Sequence, residues 1–124
     1  MGFILSLIAQ ILFFIVGFIN YPIVLISNAK KHGFWKVNND YFFTNGRDID
    51  VFGNYAYRST WNLLFIKKDG YKFGAKGETI SSALGKNRLE NKFILIGWIV
   101  YYVLYAIDYK YWKTGGHCIN SINK

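Results

Sequence analysis

The first 29 residues of the chain contain no charged side chain. Residues 3–19 form an uninterrupted apolar run, a short polar segment ending at Pro22 follows, and residues 23–26 are apolar again. A bilayer core of about 30 Å needs about 20 helical residues, with roughly 17 as the lower limit. Residues 3–26 meet that length with room to tilt. We therefore predict that residues 1–29 form a transmembrane anchor.

The residues that flank the apolar run predict its orientation. A cleaved signal peptide would need a positive segment before the run, and only the N-terminal amino group is positive there. Lys30, Lys31 and Lys36 follow the run directly, so the positive-inside rule assigns residues 30–92 to the cytoplasmic side of the membrane. The residues expected at the membrane interface are Lys30, Lys31, Trp35, Lys36, Lys92, Trp112 and Lys113.

The formal net charge of +8 is carried entirely by residues 30–124. Such a charge is compatible with nucleic acid, with an anionic membrane face or with control of topology. The basic residues come singly or in pairs, and this dispersal beside an anchor favours membrane retention over a nucleic-acid groove. We therefore predict a basic, aromatic-rich cytoplasmic module over residues 30–124, with the lipid bilayer as a partner and nucleic acid as an unlikely one.

The module has a helical pattern without long alternation of apolar and polar residues. Turn signals occur around residues 38–40, at Asn45-Gly46 and at residues 68–70. Between them, residues 57–66 predict a short helix, because no helix-breaking residue interrupts them. Residues 79–92 predict another helix, with Thr79 or Ser81 as its N-cap. The expected fold class is therefore mainly α.

Residues 93–107 are apolar on all sides, which is typical of a helix inside a protein or inside a membrane. Fifteen residues cover only about 22 Å at 1.5 Å each, which is short of the bilayer core. Asp108, Lys110 and Lys113 prevent a clean extension. The sequence leaves two possibilities: a second span that forms a hairpin with the first, or a helix packed at the membrane surface.

Two polar clusters are the candidate sites for chemistry. The residues are Glu78, Thr79, Ser81, Ser82, Gly85, Lys86 and Asn87 in the first cluster, and His117 and Cys118 in the second. Helix capping and turn formation explain most of these residue types. A thiol enzyme using Cys118 is the alternative, although a base adjacent in sequence is poorly placed to activate that thiol. The few His and Cys residues predict no metal site, and no cofactor is implied.

Several short motifs together resemble a widespread group of small proteins of tailed bacteriophages and prophages. They cover roughly residues 48–122 and comprise Asp50-Val-Phe-Gly53-Asn54, Arg58-x-x-Trp61-Asn62, Gly70-x-Lys-Phe-Gly74, Glu78-Thr-Ile-Ser-Ser82, Gly85-Lys-Asn87, Ile107-Asp108 and His117-Cys118-x-x-Ser121-Ile122. The group has no assigned reaction, and many of its members lack a long N-terminal apolar run. The resemblance implies a phage origin and makes residues 1–29 an added anchor. It also implies that both polar clusters lie on one side of the membrane, with residues 93–107 packed into the module.

These observations predict a small phage or prophage protein that acts without catalysis at the host inner membrane. Its expected partner is a host or phage membrane protein, in exclusion, defence or lysis accessory work. A two-span, holin-like protein that assembles into homo-oligomers is the second hypothesis. A small thiol-dependent enzyme is the third.

Overall fold

A computed structural model describes residues 1–122 of the chain, and the described residues are mainly helical, without a β-strand. The helices are α1 (Gly2–Ser27), α2 (Phe34–Ala56), α3 (Arg58–Leu64), α4 (Ile80–Leu89), α5 (Leu95–Ile107) and α6 (His117–Asn120), with a 3₁₀ helix at Tyr109–Thr114 between α5 and α6. The mainly α fold class is confirmed. The chain divides into two compact units, residues 1–44 and the residues from Asn45 onward.

The predicted anchor is a single helix that runs through Pro22 without a break. Helix α1 is 26 residues long and is apolar enough to span a membrane. Its one strongly polar side chain in the middle, Gln10, donates to Ser6 Oγ at 3.2 Å. An amide satisfied within its own helix costs less in hydrocarbon than an unpaired one.

The last turns of α1 are packed against the first turns of α2 inside the first unit. The Tyr21 and Phe42 rings stack with centroids 4.8 Å apart, and Asn28 Nδ2 donates to Asn38 Oδ1 at 3.1 Å. Nearby on α2, Lys36 and Asp40 form an exposed ion pair at 3.2 Å. The charged Lys36 and Asp40 of α2 thus lie near the last turns of α1. The uncharged residues 3–19, which precede those turns, are the part of α1 best suited to hydrocarbon.

Our expectation of turns within residues 34–56 was wrong, because α2 is one continuous helix there. Asn38 is buried, and its Nδ2 donates to Phe34 O at 2.8 Å while its Oδ1 accepts from Asn28. Asn54 near the other end is also buried and hydrogen-bonded. Tertiary hydrogen bonds thus satisfy asparagines that local propensity would place in turns. The turn at residues 68–70 is confirmed, since Gly70 N donates to Lys67 O at 3.0 Å.

The second unit has a small aromatic core. It contains Phe65, Ile66, Phe73, Ala83, Leu84, Phe93, Tyr101 and Cys118. Backbone hydrogen bonds from Lys67 N to Lys92 O at 2.8 Å and from Ile94 N to Phe65 O at 3.0 Å join the segments before α4 and before α5. Burial of these side chains fixes α4 at the centre of the unit, where Ala83 and Leu84 are fully buried.

The chain reverses direction after α5, and this reversal decides where α6 lies. Tyr101, in the middle of α5, donates its hydroxyl to Gly115 O at 3.2 Å. The Tyr105 ring lies so close to Gly116 that a Cβ at Gly116 would overlap it. Gly115 and Gly116 have φ values of +97° and +91°, which glycine adopts without strain. The segment after α5 therefore folds back along α5, and α6 packs on α4.

Candidate functional site

The first polar cluster forms a hydrogen-bond network around the N-terminus of α4. Thr79 is the N-cap, with its Oγ1 accepting from Ser82 N at 3.0 Å, so the first of the two predicted caps is confirmed. The Ser82 hydroxyl donates to Glu78 Oε1 at 2.8 Å. Tyr71 donates its hydroxyl to the other carboxylate oxygen, Glu78 Oε2, at 2.9 Å. The capping residues of the helix and the side chain of Glu78 are therefore parts of one network.

Lys86, one turn further along α4, completes this network. Its Nζ lies 2.6 Å from Glu78 Oε1 and donates to Tyr71 Oη at 3.1 Å. The Glu78 side chain is only 10% exposed, so its charge needs the partner. The hydrogen bond to Glu78 is the main reason that the pKa of Lys86 is raised above its usual 10.5. Lys86 is therefore a structural cation that neutralises Glu78.

A second chain of contacts joins four elements of the unit. Asp108 Oδ2 lies 2.7 Å from His117 Nδ1, His117 Nε2 lies 3.2 Å from Ser81 Oγ, and Ser81 Oγ donates to Asp50 Oδ2 at 3.1 Å. The other oxygen of Asp50 accepts from Ile80 N at 2.9 Å. A carboxylate from α2 thus sits at the N-terminus of α4, where the helix dipole favours a negative charge.

Asp108, His117 and Ser81 contact one another in the order of a serine–histidine–aspartate triad, but the hydroxyl proton of Ser81 is directed elsewhere. A hydroxyl has one proton, and Ser81 donates it to Asp50. The Ser81 oxygen is then left to accept at its contact with His117, whereas a triad serine donates to its histidine. Ser81 is also only 6% exposed, so this arrangement favours cohesion of the unit over nucleophilic attack.

Cys118 is a packing residue of the core. It is 1% exposed, and burial is the main cause that raises the pKa of its thiol from 9.0 to about 12. A reactive cysteine needs a lowered pKa and access to solvent. Adjacent His117 directs its ring to Asp108 and Ser81. The geometry therefore gives the thiol-enzyme hypothesis no support.

Gly85 is a position at which the backbones of α4 and α6 approach closely. A Cβ on Gly85 would overlap the backbone carbonyl oxygen of Cys118 and would meet the side chain of Ile122. The two predicted polar clusters, which lie about thirty residues apart in sequence, are therefore joined through close backbone approach at Gly85 as well as through Ser81 and His117. They form one site inside one unit.

Sequence reasoning missed the residues that hold the loop before α4. The sequence indicates Asn87 only as part of a polar motif, and it indicates Asn54 and Asn62 only as residues of the phage-protein resemblance. Each of these asparagines binds backbone groups of the loop through both ends of its amide. Asn54 accepts from Gly74 N at 3.1 Å and donates to Glu78 O at 2.9 Å. Asn62 accepts from Phe73 N at 2.7 Å and donates to Phe73 O at 3.2 Å.

The predicted interface residues divide between the two units. Lys30, Lys31, Trp35 and Lys36 are exposed or largely exposed in the first unit, with Trp35 82% exposed. In the second unit Lys92 pairs with Asp69, and Trp112 Nε1 donates to Tyr105 O at 2.6 Å while its ring stacks on Tyr105. Lys113 is exposed. Lys92 and Trp112 therefore have partners within the unit, although half of Trp112 is exposed. The residues of the first unit and Lys113 are exposed, with Lys36 in its ion pair with Asp40.

Comparison of the chain with family models, with curated proteins and with solved structures gives no match. The chemistry must therefore be judged from the residues themselves. Within residues 1–122, no group of three or more His, Cys, Asp and Glu side chains could hold a metal ion. A cleft of about 260 Å³ lies beside His117 and Asp108, and Leu104 and Ile107 form its apolar walls. Its volume is below the range of about 300–1,000 Å³ that is common for small-molecule sites.

Proposed function

We propose that this chain is a phage- or prophage-encoded, single-span protein of the host inner membrane that acts by binding and not by catalysis. Residues 1–29 are the anchor, and the residues from Lys30 onward form the cytoplasmic module. The module binds a host or phage membrane protein. Its role in infection is exclusion, defence or accessory work in lysis.

The observation that carries the proposal is the packing of α6 on α4. Helix α4 precedes α5 in the chain and α6 follows it, yet Ser81 on α4 lies within 3.2 Å of His117 on α6. If α5 crossed a bilayer, these two helices would lie on opposite sides of about 30 Å of hydrocarbon. Helix α5 is also only 13 residues long, which corresponds to about 20 Å. A single span through α1 is compatible with both facts.

The non-catalytic reading has separate support. Ser81 and Cys118 are buried, the hydroxyl proton of Ser81 is used by Asp50, and Lys86 is used by Glu78. These groups stabilise the module in the same way as the asparagine contacts do. With these groups engaged inside the module, its outer surface is the part that meets a partner.

The topology is tested by two exposed positions on either side of α5, Lys76→Cys and Thr114→Cys. Each variant is expressed in bacteria and treated with a membrane-impermeant maleimide, before and after the cells are opened. Native Cys118 serves as a silent background because it is buried. We expect both engineered thiols to be protected in intact cells and labelled after opening. Labelling of Thr114→Cys alone in intact cells would establish the two-span hairpin instead.

The mode of action is tested by expression in a sensitive host, with phage plating and lysis timing as readouts. Replacement of residues 3–19 by an unrelated apolar helix of equal length should preserve the phenotype, and deletion of those residues should abolish it. The variants Cys118→Ala and Ser81→Ala should retain activity wherever the protein still accumulates to the normal level. Loss of activity in either variant at a normal level would favour catalysis.

A further inference from the structure

Helix α5 has a buried face and an exposed face that are cleanly separated. Gly97 and Tyr101 are buried, and Gly97 is so close to Phe65 that a Cβ would overlap the Phe65 carbonyl oxygen. The exposed positions recur at the spacing of one helix face and carry no charge; they are Leu95, Ile96, Ile99, Tyr102, Val103, Ala106 and Ile107. We call this set the outer face of α5. An exposed apolar face of this extent is typical of a surface that binds another protein or a membrane.

We propose that the outer face of α5 lies flat on the anionic surface of the bilayer that holds α1, with Lys110 and Lys113 against the lipid headgroups. This inference rests on the proposed function, because it requires the module to be attached to a single-span anchor. It adds the face of α5 that meets the lipid, the anionic character of that lipid and the residues that make the contact.

The composition at the C-terminal end of α5 favours lipid over a protein partner. Tyr109 is 76% exposed, Trp112 is half exposed, and Lys110 and Lys113 are exposed beside them. Amphipathic aromatic rings concentrate at the headgroup level, and lysines there are attracted to anionic lipid. Helices that lie in the plane of the interface combine an uncharged apolar face with such residues.

Two acidic residues that flank α5 in sequence, Asp69 and Asp108, have partners within the unit. Asp108, the acidic residue next to the outer face, is 2.7 Å from His117 and is therefore engaged inside the unit. Asp69 pairs with Lys92 before α5 begins. The charge that the 3₁₀ helix presents to solvent is consequently positive.

The length of helix α1 supports a bilayer as the partner of the outer face of α5. Helix α1 is long and apolar enough to span a membrane, and its last residue, Ser27, precedes the second unit by a short stretch of chain. A bilayer surface is thus present at high local concentration for any helix of the module. A soluble protein partner has no such advantage.

The experiment uses the full chain in proteoliposomes with nitroxide labels at single engineered cysteines. Ile99→Cys and Val103→Cys report on the outer face, and Leu63→Cys is the matched control, because Leu63 is also apolar and is 75% exposed on α3. Collisions with oxygen and with a water-soluble nickel chelate give the depth of each label. We expect the oxygen-to-nickel collision ratio to be several-fold higher at Ile99 and Val103 than at Leu63, at a depth of about 5–10 Å.

Charge is tested in the same system with the double variant Lys110→Gln/Lys113→Gln. In vesicles that contain anionic lipid, the variant should show a lower oxygen-to-nickel ratio at Ile99 than the parent. In purely zwitterionic vesicles the two should be alike. Equal ratios in both lipids would overturn the anionic surface as the partner.

Three results would overturn the docking itself. Nickel access at Ile99 equal to that at Leu63 would leave the outer face in water. Dipolar broadening that disappears on dilution with unlabelled protein would show that a second copy covers the face. A depth that increases steadily along α5, with Thr114→Cys labelled from the outside, would make α5 a second span. Only this last result also overturns the proposed function; the first two leave the single-span topology intact.

Discussion

The side-chain amide of Asn87 binds the backbone of Tyr71 at both of its polar atoms. Asn87 Oδ1 accepts from Tyr71 N at 2.8 Å, and Asn87 Nδ2 donates to Tyr71 O at 2.8 Å. The same Nδ2 also donates to Ala83 O at 2.9 Å, so the loop is tied to the centre of α4. Asn87 is fully buried. Because Tyr71 also donates to Glu78, this pair positions the acidic side of the polar network.

Replacement of Asn87 by alanine should lower the free energy of unfolding by about 2–4 kcal/mol, since it leaves buried backbone groups of Tyr71 unpaired. Thermal unfolding in mild detergent, followed by tryptophan fluorescence, measures the change. Asn39→Ala is the control, because Asn39 is exposed on a helix and its loss should change stability by less than about 0.5 kcal/mol. Equal effects of the two variants would show that the Asn87 contacts contribute nothing specific.

Two glycine substitutions should have opposite effects on stability. Gly85→Ala places a Cβ against the Cys118 carbonyl and should cost about 1–3 kcal/mol by forcing α6 away from α4. Gly46→Ala lies within α2, where a Cβ meets nothing within 4 Å, and should stabilise the protein by about 0.5–1 kcal/mol. The same unfolding assay distinguishes them. A neutral Gly85→Ala variant would mean that the α4–α6 contact is looser than described.

Lys86→Met should destabilise the protein by about 1–3 kcal/mol because it leaves the largely buried carboxylate of Glu78 without its cation. Lys36→Met removes only an exposed pair with Asp40 and should cost less than about 0.5 kcal/mol. The raised pKa of Lys86 gives a pH test. Its stabilising contribution is present below pH 10.5 and is lost as the pH rises through the higher folded-state value. The native protein should therefore lose more stability above pH 10.5 than the Lys86→Met variant does.

Cys118 should react with iodoacetamide far more slowly than an exposed thiol in the native protein. With a pKa of about 12 instead of 9.0, its thiolate fraction at neutral pH is roughly a thousandfold smaller, and burial slows the reaction further. Thr114→Cys, which is exposed, supplies the comparison within the same chain. Mass spectrometry of the two peptides gives the ratio. Fast reaction of Cys118 in the folded protein would revive the thiol-enzyme hypothesis.

His117→Gln should speed the alkylation of Cys118 by about 5–30-fold, because loss of contacts to Asp108 and Ser81 weakens α6 docking by about 1–2 kcal/mol. His32→Gln is the control, since His32 is exposed in the first unit and should leave the rate unchanged. If His117→Gln also left the rate unchanged, the side-chain contacts of His117 with Ser81 and Asp108 would not hold α6 in place.

The sequence by itself determined the features that depend on local composition. The absence of charge before Lys30 predicted a helix of bilayer length, and Thr79 before an apolar-polar segment predicted the start of α4, because capping and helix length involve neighbouring residues. The mainly helical class followed from the same local patterns.

Only the tertiary structure decided how the polar residues meet. No local rule pairs Ser81 with His117, since their contact depends on the reversal of the chain after α5 and on Gly85 and Gly97 allowing close approach of backbones. The same applies to Asn38, which suggests a turn when read locally but lies inside α2, where its amide is hydrogen-bonded to Asn28. Burial and hydrogen bonding between distant segments outweighed local propensity at these positions.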